Sequence, residues 1–335
     1  MAINNFKPFA VGAGANVMTQ ADYEALAALL TGFQSGTAQS QQLNKVWRQS
    51  SIMSAVLAQF IVDLTGQDAI DDGATATLLA NLKMAVQAQS AAVVGQTRNL
   101  VMSVTAASTS ATLTADEIVV GTALGGQKYL LKQFSNTINL ATTGAGGMDT
   151  GTAPTSGNVA IYAIFNPTTG ATALLAQDAS TLRSNVYTGA NMPSGYTASA
   201  LVSVWGTNSS GQLNVGYARD RTVYGTSTQA FSTSTPQSSF TRVSFANVPV
   251  NATSVSGTIL LTNDSSNNTP QGAVAASSAG VAEIDASATA VIVAGGISCP
   301  FSGLPIITPR TLYYKLSVVA SGTPNLAVNI SSYTI

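Results

Sequence analysis

The apolar residues of this chain change their spacing near residue 95, from a helical period of about 3.6 to a strand period of about 2. Before the switch, Thr19-Gln20-Ala21-Asp22 reads as a capping box with Asp in place of the usual Glu. The Thr19 hydroxyl would accept from the Asp22 amide, and the Asp22 carboxylate would meet the positive end of the helix. Met18 and Tyr23 would form the accompanying hydrophobic staple, and the helix is expected to run through Ala25, Leu26 and Leu29 to Gly32. A second helix carries Leu43, Val46, Ser50, Met53, Leu57, Phe60 and Leu64, which alternate steps of three and four as a heptad seam does. Trp47 and Ile61 widen that stripe. It suits an amphipathic helix in a local bundle, with an intermolecular coiled coil as the alternative. Asp63, Asp68, Asp71 and Asp72 then mark a turn closed by Gly73, and a third helix follows with Leu78, Leu79, Leu82 and Val86.

From about Leu100 onward the chain turns to short strands separated by Ser, Thr, Gly and Asn. Val159–Phe165 reads as a buried strand closed by the turn Asn166-Pro167-Thr168-Thr169-Gly170. Leu201–Trp205 and the alternating Leu213, Val215 and Tyr217 read as a hairpin around the loop Gly206–Gly211. A second hairpin is expected at the end, from Leu312, Tyr314, Leu316 and Val318 through the turn Ser321–Asn325 to Leu326, Val328 and Ile330. The Ser/Thr-rich stretch around Pro236 reads as a linker. The expected architecture is therefore multidomain, a short helical N-terminal module followed by all-β domains of β-sandwich-like build. Its boundaries are 1–95 for the helical module, 96–225 for a β-rich domain, 226–239 for the linker and 240–335 for a C-terminal β domain.

Composition narrows what such a chain does. With 335 residues, 8% of them charged, and a net charge of -1, it has no basic field to neutralise a phosphate backbone, so no nucleic-acid partner is expected. Hydrophobic residues at 45% and a mean hydropathy of +0.26 argue against disorder. A surface so poor in charge is expected to be covered by other copies or partners. One cysteine, Cys299, and no histidine leave neither an internal disulfide nor a soft metal site, and no cofactor is implied. The first seven residues lack the basic start and apolar stretch of a signal peptide, and no later run is long and continuously apolar. Synthesis in a cytoplasm without a membrane span is expected.

The candidate chemistry is sparse. Without histidine the commonest general base is missing, along with the usual partner of a Ser or Cys nucleophile. Asp116-Glu117 is the closest carboxylate pair of the β region, but strand neighbours point to opposite faces, and a solvated turn is the expected setting. Gly12-Ala13-Gly14 and Gly144–Gly147 complete neither a dinucleotide fingerprint nor a Walker motif, and both read as flexible connections. Aromatic faces at Tyr187, Tyr196, Trp205, Tyr217 and Tyr224 suit either a strand core or stacking on sugar rings. Among them Tyr196, Trp205 and Tyr217 are the candidate glycan contacts.

The opening Asn5–Ala10, followed by Gly12–Val17, Gln20–Tyr23, Gly32–Ala38 and Leu43–Ser50, resembles the N-terminal module of bacteriophage tail fibres and related tail proteins. Met192–Thr197 with Ala200–Trp205 and Asn208–Gly211 is similar to a β-module that recurs in such fibres. The resemblance covers about the first 90 residues and this second stretch, and nothing beyond about residue 236. It implies a virion protein assembled in the host cytoplasm, an intertwined homotrimer joined to the tail or baseplate by its N-terminal part, with its distal β domain turned to the host. Phe6, Pro8 and Phe9 would then dock on other tail proteins, or else form an arm packed on their own chain. A host glycan or outer-membrane receptor is the implied distal partner. A structural tail, collar or baseplate component without receptor binding and a polysaccharide-degrading tail protein are the alternatives. The absence of histidine and of facing carboxylates leads us to expect no hydrolase activity. Incubation with host envelope should release no oligosaccharide; turnover abolished by one Asp or Glu substitution would contradict this.

Overall fold

A computed structural model describes residues 2–36, 39–88, 92–264, 269–287, 295–318 and 322–335. Thr37 and Ala38 of the N-terminal resemblance and Ser321 of the last expected turn lie outside them. The chain is mostly β, with a short helical N-terminal region and antiparallel sheets. It divides into two compact units, Met1–Ala91 with Gln127–Tyr129, and Ala92–Gly126 with Leu130–Ile335.

The first unit holds α1 (Gln20–Glu24), α2 (Ala28–Thr31), α3 (Ser40–Thr65) and α4 (Thr75–Ala88). Thr19 caps α1 as its sequence requires, its hydroxyl oxygen accepting from the Asp22 amide at 3.1 Å. The single helix expected to reach Gly32 is instead two short pieces. The amides of Leu26 and Leu29 bond three residues back, to Tyr23 and Leu26, and this tighter winding interrupts the α ladder between α1 and α2. Helix α3 runs unbroken to Gly66, whose φ of 66° supplies the left-handed cap. The aspartates beyond it serve backbone amides. Asp68 accepts from Ile3 at 2.7 Å and Asp72 from Ala74 at 2.8 Å, ahead of α4. Helix α4 packs on α3, which buries Ala58 and Ile61. Lys45 is also buried, its ammonium 5.7 Å from the centroid of the Tyr23 ring.

The second unit contains β1 (Thr97–Arg98), β2 (Val101–Val104), β3 (Ser110–Gly121), β4 (Lys128–Asn139) from Leu130 onward, β5 (Asn158–Phe165), β6 (Thr172–Asp178), β7 (Ala198–Gly206) and β8 (Gly216–Arg219). It continues with β9 (Thr222–Thr233), β10 (Gln237–Ser244), β11 (Ser254–Asn263), β12 (Pro270–Ala275), β13 (Ile284–Asp285), β14 (Gly295–Pro305), β15 (Thr311–Val318) and β16 (Pro324–Thr334). Among the described residues these form two sheets. The larger is ordered β14-β11-β16-β9-β8-β2-β3-β7-β5-β6, with β1 and β4 also on β3, and the smaller is β10-β15-β12-β13.

The structure departs from several sequence expectations. The stretch 226–239 is no linker, because most of it belongs to β9 and the start of β10. Within it the β9 residues pair with β16, Thr228 opposite Ile330 and Thr233 opposite Leu326, while β8 borders β9 only at Thr222–Gly225. The expected hairpin of Leu201–Trp205 with Leu213–Tyr217 begins, with the Asn214 amide donating to the Gly206 carbonyl at 2.9 Å, but does not continue. Leu213 exchanges both backbone bonds with Ser108, which diverts the chain to β2, so β2 and β3 lie between β7 and β8. Nor do β15 and β16 form a hairpin: β15 pairs with β10 and β12, β16 with β11 and β9. Their apolar residues meet across a core instead. Leu312, Tyr314 and Leu316 share one buried cluster with Leu326, Val328, Ile330, Ile259 and Leu261.

Gly144–Gly147 is a bonded turn rather than a loose connection. The Gly146 amide donates to Leu174 at 2.7 Å, and a Cβ on Gly147 would lie 2.4 Å from the Thr142 carbonyl oxygen. Asp116-Glu117 lies within β3 rather than in a solvated turn, Glu117 opposite Arg98 and Asp116 accepting from Asn99 at 2.6 Å. The expected strand and turn at 159–170 are present as β5, buried along its centre, and a turn in which the Gly170 amide returns to Asn166.

A second cluster joins Tyr162, Leu201 and Val204 of β5 and β7, and Tyr187 of the loop between β6 and β7, to Ile335 at the chain's last described position. Within it Tyr187 donates to Asp149 at 2.9 Å and meets Tyr162 edge-on at 5.5 Å. Burial first, then the hydrogen bond to the Asp149 carboxylate, push the Tyr187 hydroxyl up to about 12 from 10.0. The folded value exceeds the unfolded one, so this contribution is complete below pH ~10 and is lost as pH rises through the folded value. The urea midpoint should fall between pH ~10 and ~12, and fall less in a Tyr187→Phe variant. A midpoint constant across that window would contradict the assignment.

Candidate functional site

The backbone pairing of β8 with β9 places Gly216 opposite Gly225 and Tyr217 opposite Tyr224. Two facing glycines remove the side chains that would otherwise fill the sheet at that point, and a groove of about 460 Å³ opens there, within the range of small-ligand sites. The ring of Trp205 lies beneath Gly216, where a Cβ would sit 3.1 Å from the ring carbon Cζ2 and 2.7 Å from the Tyr224 carbonyl oxygen. Over Gly225 there is open space, with nothing within 4 Å of a built Cβ.

Amides and hydroxyls border the groove. Asn158 and Asn214 flank Gly206, their side-chain amides 3.8 Å and 3.0 Å from the position of a Cβ there. Asn208 is held by its own loop, its Oδ1 accepting from the amides of Ser210 and Gln212. Asn247 donates to the Thr228 hydroxyl at 2.9 Å, and Thr226 and Ser331 complete this side. Tyr333 donates to the Val204 carbonyl at 2.8 Å, and burial pushes its hydroxyl pKa up, so it stays neutral. Among the described residues no Asp, Glu, Lys or Arg lines the groove. It therefore offers directional hydrogen bonds without a charge to select an ion, which suits a neutral, hydroxyl-rich ligand.

The sequence-derived contacts fall in different places. Trp205 is 1% exposed, its Nε1 donating to Asn214 at 2.9 Å, so it forms the floor and has no free face for stacking. Tyr196 is half-buried against the cluster around Tyr162 and Tyr187, away from the groove. Tyr217 is 40% exposed, and its ring lies 6.4 Å from that of Tyr224, which lines the groove and is 48% exposed. Tyr224 is thus the exposed aromatic among the lining residues, and the sequence put it among five equivalent aromatics. The four asparagines left no sequence signal, because positions from 158 to 247 meet only through strand pairing.

Phe6, Pro8 and Phe9 lie in the first unit on an arm along α3. The Phe9 amide donates to Ser51 Oγ at 2.8 Å, and its ring meets Trp47 edge-on at 5.9 Å. Phe6 is half-buried, while Pro8 and Phe9 remain exposed. Among the described residues no three His, Cys, Asp or Glu side chains come together as metal ligands would, and no helix is long and apolar enough to cross a membrane.

No family model matches the sequence, and no curated protein does. Among solved structures, a chain from infectious bursal disease virus, Gx strain, is 12% identical, with a TM-score of 0.23, covering 73% of this chain and 68% of that one. A likeness at that score carries no argument about this chain.

The two glycines that open the groove should respond oppositely to substitution. Gly225→Ala is expected to raise stability by about 0.5–1 kcal/mol, because it restrains the unfolded chain at no steric cost. Gly216→Ala is expected to lower it by about 1–3 kcal/mol through overpacking on Trp205 and Tyr224. Urea denaturation of the two variants measures both, and equal effects would refute the geometry.

Proposed function

We propose that this chain is a structural tail fibre protein of a bacteriophage, attached to the tail or baseplate by its helical unit and presenting its β unit to a neutral glycan of the host surface. The observation that carries this reading is the uncharged groove, bordered by amides and hydroxyls, with the exposed Tyr224 among its lining residues. Sugars are recognised by such sites, aromatic faces meeting the apolar side of the ring and amides meeting its hydroxyls. The resemblance of the N-terminal residues to tail-fibre modules supports the attachment role. The arm carrying Phe6, Pro8 and Phe9 leaves Pro8 and Phe9 exposed for a tail partner while its backbone is anchored on α3. We read the two sheets that share one core as a sandwich-like distal part, and the fibre as a homotrimer in the virion.

This reading moves the host contact from residues 240–335 alone to a surface that both halves of the β unit build. Purified chain on a glycan array should retain neutral host-envelope sugars, and Tyr224→Ala should weaken that binding about tenfold, some 1.4 kcal/mol, with the circular dichroism spectrum unchanged. If the wild type retains no glycan, or the variant binds equally well, the groove is not the receptor site.

A further inference from the structure

Helix α3 displays its heptad seam outward. Met53 is 60% exposed and Leu57 48%, with Val56 beside them at 57%, although the same helix buries Ala58 and Ile61. The rest of the first unit occupies other sides of α3: α4 packs on it, and the N-terminal arm bonds to Ser51, Ala55 and Gln59. What remains open is the row Val46, Ser50, Met53, Leu57 and Phe60, exposed at its centre and half-buried at Val46 and Phe60.

We propose that this seam is where α3 packs against the α3 of further copies of the chain, parallel and in register. The period argues for a copy of itself as occupant. Steps of three and four run from Leu43 to Leu64, and the open row Val46–Phe60 keeps one stripe facing a supercoiled partner over roughly 22 Å, its knobs fitting the holes of an identical one. Charge argues the same way. The charged residues of α3 are Lys45, Arg48 and Asp63, none of them on the seam, and Lys45 is buried under Tyr23. Identical helices can therefore align without opposing like charges. The small hydroxyl of Ser50 sits where equivalent positions of parallel helices face one another. The inference deepens the homotrimeric reading and rests on it for the number of copies alone.

The test uses the full chain with Cys299→Ser, so that an added thiol is the only one. Ser50→Cys should form covalent chain pairs under mild oxidation, several-fold more than Gln67→Cys, placed just beyond the helix. Met53→Glu combined with Leu57→Glu, both at exposed positions, should reduce the native mass from about three chains to one with the circular dichroism spectrum unchanged. An assembly that persists in the glutamate variant, with no preferential cross-link at Ser50→Cys, overturns the seam and leaves the fibre reading standing. Preferential cross-linking in an assembly of another size supports the seam and overturns the homotrimer. A wild type of one chain mass at tens of micromolar overturns both.

Discussion

Both edges of β9 are hydrogen-bonded, to β8 on one side and β16 on the other, and the β unit depends on that double pairing. Because a strand interior cannot leave its amides and carbonyls unmet, β9 joins the strands of residues 97–219 to β16, β11 and β14 in the larger sheet. The same pairing sets Gly216 against Gly225 and so opens the groove. It also brings Arg221, at the turn into β9, beside the main-chain oxygens of Ile335 and Leu201, to which its guanidinium donates at 2.9 and 3.0 Å. Desolvation holds the pKa of Arg221 below its ordinary value, and three charge-assisted bonds, the third to Gly95 at 3.4 Å, offset that burial.

Ion pairs contribute little to holding this chain together. The described pairs, Arg98–Glu117, Arg219–Asp220 and Lys315–Glu283, all join side chains at least 36% exposed, where a salt bridge is worth about 0–1 kcal/mol. Apolar burial and backbone ladders carry the fold, and buried hydroxyls are paired across elements, as Tyr162 is with the Ser184 carbonyl and Tyr187 with Asp149. A structure stabilised this way is largely indifferent to salt.

The same shortage of charge shapes both surfaces with a proposed role. In the groove it removes any preference for ions and leaves shape, stacking and hydrogen bonds to discriminate. On α3 it removes the repulsion that would keep identical helices apart and leaves an apolar seam in water.

Local features were legible in the sequence because they depend on neighbours a few residues apart. The Thr19 cap, the unbroken α3 with its Gly66 terminus, the buried β5 with its Asn166–Gly170 turn and the change from helix to strand near residue 95 all follow from spacing and side-chain chemistry. Which strands pair did not follow, because an apolar strand face is satisfied equally by a neighbour in its own sheet or by an opposing sheet. Hence β15 and β16 face each other across a core instead of forming a hairpin, and a Ser/Thr-rich stretch continues a strand paired with β16. The site shares this limit. Trp205 and Tyr224 are alike as aromatics in alternating strands, and only tertiary packing puts one under Gly216 and the other at the surface, since burial is a property of what the folded chain brings alongside.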